Sequence, residues 1–179
     1  MFGVFKGGTL AASISRARFL RGDFSGSRRP IRPPWAISED RFVARCTRCD
    51  ACLPACSPGV IVRGSGGFPQ VDFSRGECTF CGRCAEACGE GAFAPRAQAA
   101  PWHWVARIGE SCLAARRVVC RSCGDACEAR AIRFRLEAGG AGWPVMDGAA
   151  CSGCGACVSV CPAGAIDMTE RARAPAIPA

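Results

Sequence analysis

The cysteines of this chain are grouped at spacings that suit metal ligands. All sixteen cysteines among the 179 residues fall into four groups of four. In the first, second and fourth groups, two residues separate each of the first three cysteines from the next, and three residues separate the third cysteine from the fourth. The third group differs only in that seven residues separate its first cysteine from its second. The groups are Cys46, Cys49, Cys52, Cys56; Cys78, Cys81, Cys84, Cys88; Cys112, Cys120, Cys123, Cys127; and Cys151, Cys154, Cys157, Cys161. Runs of this kind are typical of proteins that bind iron-sulfur clusters.

The two-residue gaps explain why a cluster suits these runs. A backbone that offers a thiolate at every third residue wraps around one corner of a cube of iron and sulfide, and the fourth thiolate must come from elsewhere. In the bacterial two-cluster pattern, the fourth cysteine of each run binds the cluster of the other run. The pattern predicts four 4Fe-4S clusters here. Their ligands are Cys46, Cys49, Cys52 and Cys88 at site 1; Cys78, Cys81, Cys84 and Cys56 at site 2; Cys112, Cys120, Cys123 and Cys161 at site 3; and Cys151, Cys154, Cys157 and Cys127 at site 4.

The third group departs from the regular spacing. Because seven residues separate Cys112 from Cys120, this segment forms a longer loop around its cluster. Cys112 is therefore the ligand that the spacing supports least. Without it, site 3 would hold a three-iron or labile cluster.

Zinc and disulfide bonds are the alternative uses of these cysteines. Zinc sites also contain pairs of cysteines two residues apart, but a dozen or more residues normally separate the two pairs, and four sulfurs complete one tetrahedron. Three cysteines within seven residues suit a cube better. Disulfides require an oxidising compartment, whereas the N-terminus offers only residues 7–15 as an uncharged run before Arg16. We therefore expect a cytoplasmic protein with reduced thiols.

A stretch near the C-terminus has the length of a membrane span but a different composition. Residues 148–166 carry no charge, yet they include four glycines, Pro162 and four cysteines at cluster spacing. We expect no membrane insertion. The N-terminal residues 1–45 are basic, with nine Lys and Arg against three Asp and Glu. Their aromatic residues are too sparse, and their prolines too disruptive of helices, for nucleic-acid binding to be expected.

An internal repeat divides the chain into two units. The sequence from Gly66 to Cys88 resembles that from Ala141 to Cys161, which indicates a duplication. We predict an α+β fold with two tandem bacterial two-cluster ferredoxin-like units, in which short strands and short helices surround two clusters each. The predicted segments are an arm over 1–45, units over 46–95 and 112–170, an inter-unit segment over 96–111 and a tail over 171–179.

Small residues around the last cysteines of each group predict a short helix there. Short strands are predicted after the first, third and fourth groups, and proline-initiated strands before the second and fourth. These strands cover residues 59–62, 131–134, 165–168, 68–72 and 143–147.

Nearly the whole chain resembles the NapF-type ferredoxin family, which is encoded with periplasmic nitrate reductases. The shared motifs are IRPPW at Ile31, CTRCDAC at Cys46, RGSGGFP at Arg63, and IGESCLA followed by VVCRSCGDACEARAI. Ser15 and Arg16 with Phe19 and Leu20 also match, but Ala17 stands where the family's export-like motif has its second arginine. The stretched third group is the most specific feature.

The resemblance implies a cytoplasmic accessory protein, not an enzyme. Such a protein would bind the precursor of the molybdenum-containing nitrate reductase catalytic subunit and help to mature it before export. An electron-transfer ferredoxin between a quinol-linked donor and a reductase is the alternative. A third reading, a zinc-stabilised nucleic-acid binder, would give a colourless protein.

Anaerobically purified protein is expected to be brown and to contain about sixteen irons per chain, because four cubes hold four irons each. Iron and sulfide counts together with EPR of the reduced protein measure this. A colourless, zinc-containing preparation would contradict the assignment, and about twelve to fifteen irons would locate the deficit at site 3.

Overall fold

The computed structural model describes residues 29–136 and 142–171. The first 28 residues of the predicted arm and residues 172–179 of the predicted tail lie outside this range. The helices are α1 Glu39–Arg45, α2 Arg83–Glu86, α3 Ser122–Asp125 and α4 Ala156–Ser159. The strands are β1 Ile61–Arg63, β2 Pro69–Val71, β3 Trp104–Ile108, β4 Ile132–Leu136, β5 Gly142–Met146 and β6 Ile166–Glu170. The chain is thus a small mixed α+β protein.

The strands form antiparallel pairs. Two of these pairs bring the start of one cysteine group back beside the end of the preceding group. β1 pairs with β2 and β4 pairs with β5, each as a hairpin between one cysteine group and the next. Both hairpins carry a proline, Pro69 or Pro144, as the sequence repeat requires. Proline is tolerated because a two-stranded ribbon leaves every residue on an edge. β3 pairs with β6, which lies at the other end of the second unit.

The short helices lie at the third cysteine of three runs. α2 and α4 begin after Gly82 and Gly155, whose φ angles of 81° and 83° favour glycine. α3 occupies the same place in the third run. The first run differs from the prediction, because residues 51–55 form only turns.

Part of the predicted N-terminal arm packs against the first unit. The Val71 N–H donates to the Ile31 carbonyl at 2.7 Å, and a single β-bridge joins Ala36 to Phe93. The Phe42 side chain of α1 is fully buried and meets the Phe93 ring edge-on at 5.9 Å. Residues 31–45 therefore complete the core of this unit.

The predicted inter-unit segment likewise contributes to the second unit. Its residues 104–108 form β3, and the register pairs Ile108 with Ile166 of β6. The buried Ala106 lies in a core cluster with Cys123 and Cys157. The segment is thus one edge of the second unit as well as a connection.

The two units contact each other through the second and fourth cysteine groups. The Cys78 N–H donates to the Cys154 carbonyl at 2.8 Å. Trp102 meets the rings of Phe73 and Phe80 edge-on at 5.8 and 5.4 Å. Phe73 lies so close to Gly155 that a Cβ there would overlap its ring. The junction is therefore a tight, partly aromatic contact.

Within the part of the chain that the structure describes, no helix has both the length and the hydrophobicity needed to cross a membrane.

Replacing Gly155 by alanine is expected to weaken the junction, since the new Cβ would overlap the buried Phe73 ring. We expect a loss of about 2 kcal/mol, or a melting temperature lower by roughly 4–8 °C. Anaerobic thermal melts followed by cluster absorbance measure this.

Gly164→Ala is the matched control for Gly155→Ala. Gly164 also has a positive φ, +54°, but its Cβ would meet nothing within 4 Å. Equal losses in the two variants would show that backbone strain, and not the Phe73 contact, accounts for the effect.

Candidate iron-sulfur cluster sites

Each predicted set of four cysteines lines a cavity of its own. The space between atoms is about 350 Å³ at site 1, 340 Å³ at site 2, 350 Å³ at site 3 and 320 Å³ at site 4, part of it open to solvent. All sixteen predicted ligands are brought together in this way, and each lines only the cavity of its own predicted set. That each of these cysteines binds iron stays a prediction, and the geometry is compatible with it.

The hairpins explain how the fourth cysteine reaches its site. Cys56 precedes β1 and Cys78 follows β2, and the Asp72 N–H donates to the Val60 carbonyl at the base of this hairpin, at 2.8 Å. Because antiparallel strands return the chain to its starting point, Cys56 lies beside the run that begins at Cys78.

The second unit repeats the arrangement. The Asp147 N–H donates to the Ala131 carbonyl at 2.8 Å, which is the equivalent bond at the base of the β4–β5 hairpin. Cys127 is thereby placed beside the run that begins at Cys151, and both line site 4.

Cys112 lies at site 3 despite its distance along the chain from Cys120. The Gly109 N–H donates to the Ala165 carbonyl at 2.7 Å, extending the β3–β6 pairing towards Cys112 and Cys161. Cys112 is buried and packs in a small core cluster with Ala114 and Ala165. The strand pairing, and not the local spacing, therefore brings Cys112 to its set.

The additional residues of the third group form a loop beside site 3. A 3₁₀ turn covers Ala114–Arg116, and Arg117 follows it with a left-handed φ of 63°. The Val118 N–H then donates to the Leu113 carbonyl at 3.0 Å. The loop closes on itself, so its length does not displace Cys112.

The third cysteine of every run is buried. Burial raises the pKa of Cys52 and Cys157 to about 12, and that of Cys84 and Cys123 to about 11. Desolvation disfavours a bare thiolate at these positions. Bound iron supplies the compensating positive charge, so cluster binding and deprotonation are coupled.

The middle cysteine of the second run is different, because it is exposed. The Arg83 backbone N–H and guanidinium lower the pKa of Cys81 by hydrogen bonding to its sulfur. Arg83 therefore stabilises the Cys81 thiolate even without bound iron.

Backbone amides also donate to the sulfurs of two exchanged cysteines, both in the second unit. The Ala131 N–H reaches the Cys127 Sγ at 3.3 Å, and the Ala165 N–H reaches the Cys161 Sγ at 3.2 Å. The two bonds occupy equivalent positions, four residues after the cysteine. Hydrogen bonds to ligand sulfurs help to set cluster potentials.

The donor set and the space agree with four-iron clusters. Each cavity combines four thiol sulfurs with mostly apolar neighbours, and a 4Fe-4S cluster takes one thiolate on each iron. Among the described residues, no three His, Cys, Asp or Glu side chains form a group that could hold a single metal ion. In each set, the four sulfurs instead line one common cavity.

Aromatic walls are the part of the sites that the cysteine spacing did not predict. Phe134 lines site 3, Phe80 lines site 2, and Phe42 and Phe93 line site 1. Gly124 leaves room for the Phe134 ring, because a Cβ there would collide with it. In β4, the exposed Arg133 and Arg135 alternate with Phe134, which faces inwards. This alternation of charged and apolar residues is the sequence signal from which Phe134 could have been predicted to face the site.

Cys112→Ser is expected to lower the iron content to about twelve to fifteen per chain, because site 3 would lose one iron or the whole cluster. Iron counts and EPR of the reduced protein measure this. Ala115→Ser, in the same loop, is the control and should retain about sixteen irons. Sixteen irons and an unchanged spectrum in the Cys112 variant would contradict its role as a ligand.

The comparisons with known proteins agree with these sites. A model described as the 4Fe-4S dicluster domain matches residues 45–92 and 116–165, one copy for each unit. Two such domains confirm the prediction of four 4Fe-4S clusters. No solved structure matches the chain.

Curated relatives match almost end to end. The ferredoxin-type protein NapF of Haemophilus influenzae is 48% identical over 168 residues, covering 88% of this chain and 95% of the relative. The ferredoxin-type protein NapF of Escherichia coli K12 is 45% identical over 152 residues, covering 85% of this chain and 92% of the relative. The predicted resemblance is confirmed, and the chain belongs to the NapF family of ferredoxin-type iron-sulfur proteins.

Proposed function

We propose that this protein binds the cytoplasmic precursor of the periplasmic nitrate reductase catalytic subunit and assists its maturation before export. Membership of the NapF family, with four cysteine-lined sites in one small body, carries the proposal. The sixteen cysteines of sites 1 to 4 would be the ligands. The contribution to the precursor would be electrons or a cluster.

The chain's own residues define the surroundings in which the clusters would work. A bound 4Fe-4S cluster supplies one-electron redox chemistry. Buried side chains such as Val60 and Ile132 pack with buried cysteines in the hydrophobic core and shield those sulfurs from water. Exposed cysteines such as Cys49 and Cys81 bring one edge of their sites to the surface. A site of this kind can exchange electrons with a docked protein.

Electron transfer between a quinol-linked donor and a reductase is the second candidate. The observation that favours it is the Cys78–Cys154 hydrogen bond, which places site 2 next to site 4. Since the exchanged cysteines link site 1 to site 2 and site 3 to site 4, the sites follow one another in the order 1, 2, 4, 3. A continuous row is what a carrier between two partners needs.

A strain lacking this protein is expected to accumulate a catalytic-subunit precursor with less iron and lower nitrate reductase activity, because maturation would lack its electron or cluster source. Purified holoprotein should bind the precursor. Iron analysis of the isolated precursor, activity assays and a binding assay measure these outcomes.

The same strain separates the two candidates. A fully assembled, iron-replete catalytic subunit with slowed electron flow from quinol would support the carrier function. Absence of precursor binding, together with unchanged iron content and activity, would refute the maturation function.

A further inference from the structure

We propose that a basic and apolar surface beside site 3 docks an acidic face of the partner protein. The surface consists of the loop Arg116–Arg121 and the outward side of the β4–β5 hairpin; we call it the site-3 face. This inference rests on the proposed function, because it names the surface through which the partner would approach.

Site 3 is at one end of the row of sites. The junction between the units uses the cysteine groups of sites 2 and 4, so sites 1 and 3 are the ends. At site 1, α1 presents the buried Phe42 to one side of the cavity, while Cys49 is exposed on another. Site 3 has the extended loop beside it instead. Site 3 is therefore the end of the row that the extended loop borders.

The loop exposes apolar side chains next to a ligand. Val118 is 49% exposed and Val119 is 77% exposed, and Val119 directly precedes Cys120. Arg117, which precedes the two valines, has a left-handed φ of 63°. Adjacent exposed valines beside a redox site give a partner apolar surface to bury.

The hairpin adds an aromatic and basic strip. Trp143 and Val145 are 48% and 41% exposed on β5, and their cross-strand neighbours on β4 are Arg135 and Arg133. All four residues occupy the side opposite Phe134, which faces site 3. Trp and Arg are the residues most enriched where protein partners bind tightly.

The loop and the hairpin adjoin each other. The 3₁₀ turn Ala114–Arg116 packs against β5. The Arg121 guanidinium lies 5.4 Å from the centre of the Phe134 ring, on the wall of site 3. The loop and the hairpin are therefore neighbours beside site 3, with Arg121 on the Phe134 side of the hairpin and Arg133 and Arg135 on its outward side.

The charge of this surface selects the partner. The ion pairs found among the described residues involve Arg29, Arg32, Arg63 and Arg96. Within that part of the chain, none joins a carboxylate to the five exposed arginines of the site-3 face: Arg116, Arg117, Arg121, Arg133 and Arg135. Exposed guanidinium groups attract and orient an acidic surface. The valines favour a protein, because phosphates offer them nothing apolar to contact.

A charge-reversal pair tests the surface. Arg133→Glu with Arg135→Glu is expected to weaken binding of the holoprotein to the purified precursor by about tenfold or more at 50 mM NaCl. Arg41→Glu with Arg75→Glu changes the net charge equally at exposed positions of the first unit, and its affinity should stay within about twofold of the wild type. Iron counts and EPR of both variants establish that they hold their clusters.

The outcomes separate the surface from the proposed function. If the wild type binds the precursor and both variants bind equally well, the site-3 face is overturned while the proposed function stands. If the wild type does not bind the precursor, the proposed function fails, and binding of fluorescent poly-L-glutamate decides the surface. If only the Arg133 and Arg135 variant loses poly-L-glutamate binding, the site-3 face is supported as a surface for an acidic partner. If both variants bind poly-L-glutamate equally, the site-3 face is overturned.

Heparin and phosphatidylglycerol vesicles identify the class of partner. Because all three probes are anionic, a site-3 face that recognises protein should lose heparin or vesicle binding in the Arg133 and Arg135 variant no more than it loses precursor and poly-L-glutamate binding. A selective loss of heparin or vesicle binding in the Arg133 and Arg135 variant, with precursor and poly-L-glutamate binding unchanged, would overturn the protein assignment.

Discussion

The exchange of the fourth cysteine between two runs is the constraint on which the rest of this structure depends. A run of three cysteines closes around only part of a cluster, so each site stays incomplete until a distant cysteine arrives. The hairpins and the β3–β6 pair bring that cysteine back. Cluster binding and folding are therefore coupled, as they are in small metal-stapled domains.

The same constraint explains the small size of the regular elements. The α2, α3 and α4 helices have four residues each, too few to be stable alone in water. They persist because the third cysteine of each run is anchored in the interior, among side chains such as Val60 and Ile132. Around a bound cluster, the metal would supply much of the cohesion that apolar burial supplies in larger domains.

The two units solve the same problem with different covering segments. The first unit completes its core with residues that precede its first cysteine, including Trp35 and Phe42. The second uses β3 for that purpose and adds the loop after Cys112. The duplicated sites are consequently not equivalent towards a partner. Residues 31–45 pack at one end of the row, and the other end carries exposed arginines and valines.

The sequence alone predicted the four sets of cysteines that line common cavities, because the spacing within a run follows the dimensions of a cluster and the exchange of the fourth cysteine is the pattern of two-cluster ferredoxins. It also located the strands of the two hairpins, since proline and short apolar runs mark them, but it did not predict their pairing. It did not assign residues 31–45 or 104–108 to the units, because those contacts join segments far apart in the chain and leave no periodic pattern. Only the tertiary structure decided that Cys112 reaches site 3 through the β3–β6 pairing, and that Cys78 and Cys154 meet. Both are consequences of backbone pairing at a distance, which residue types do not encode locally.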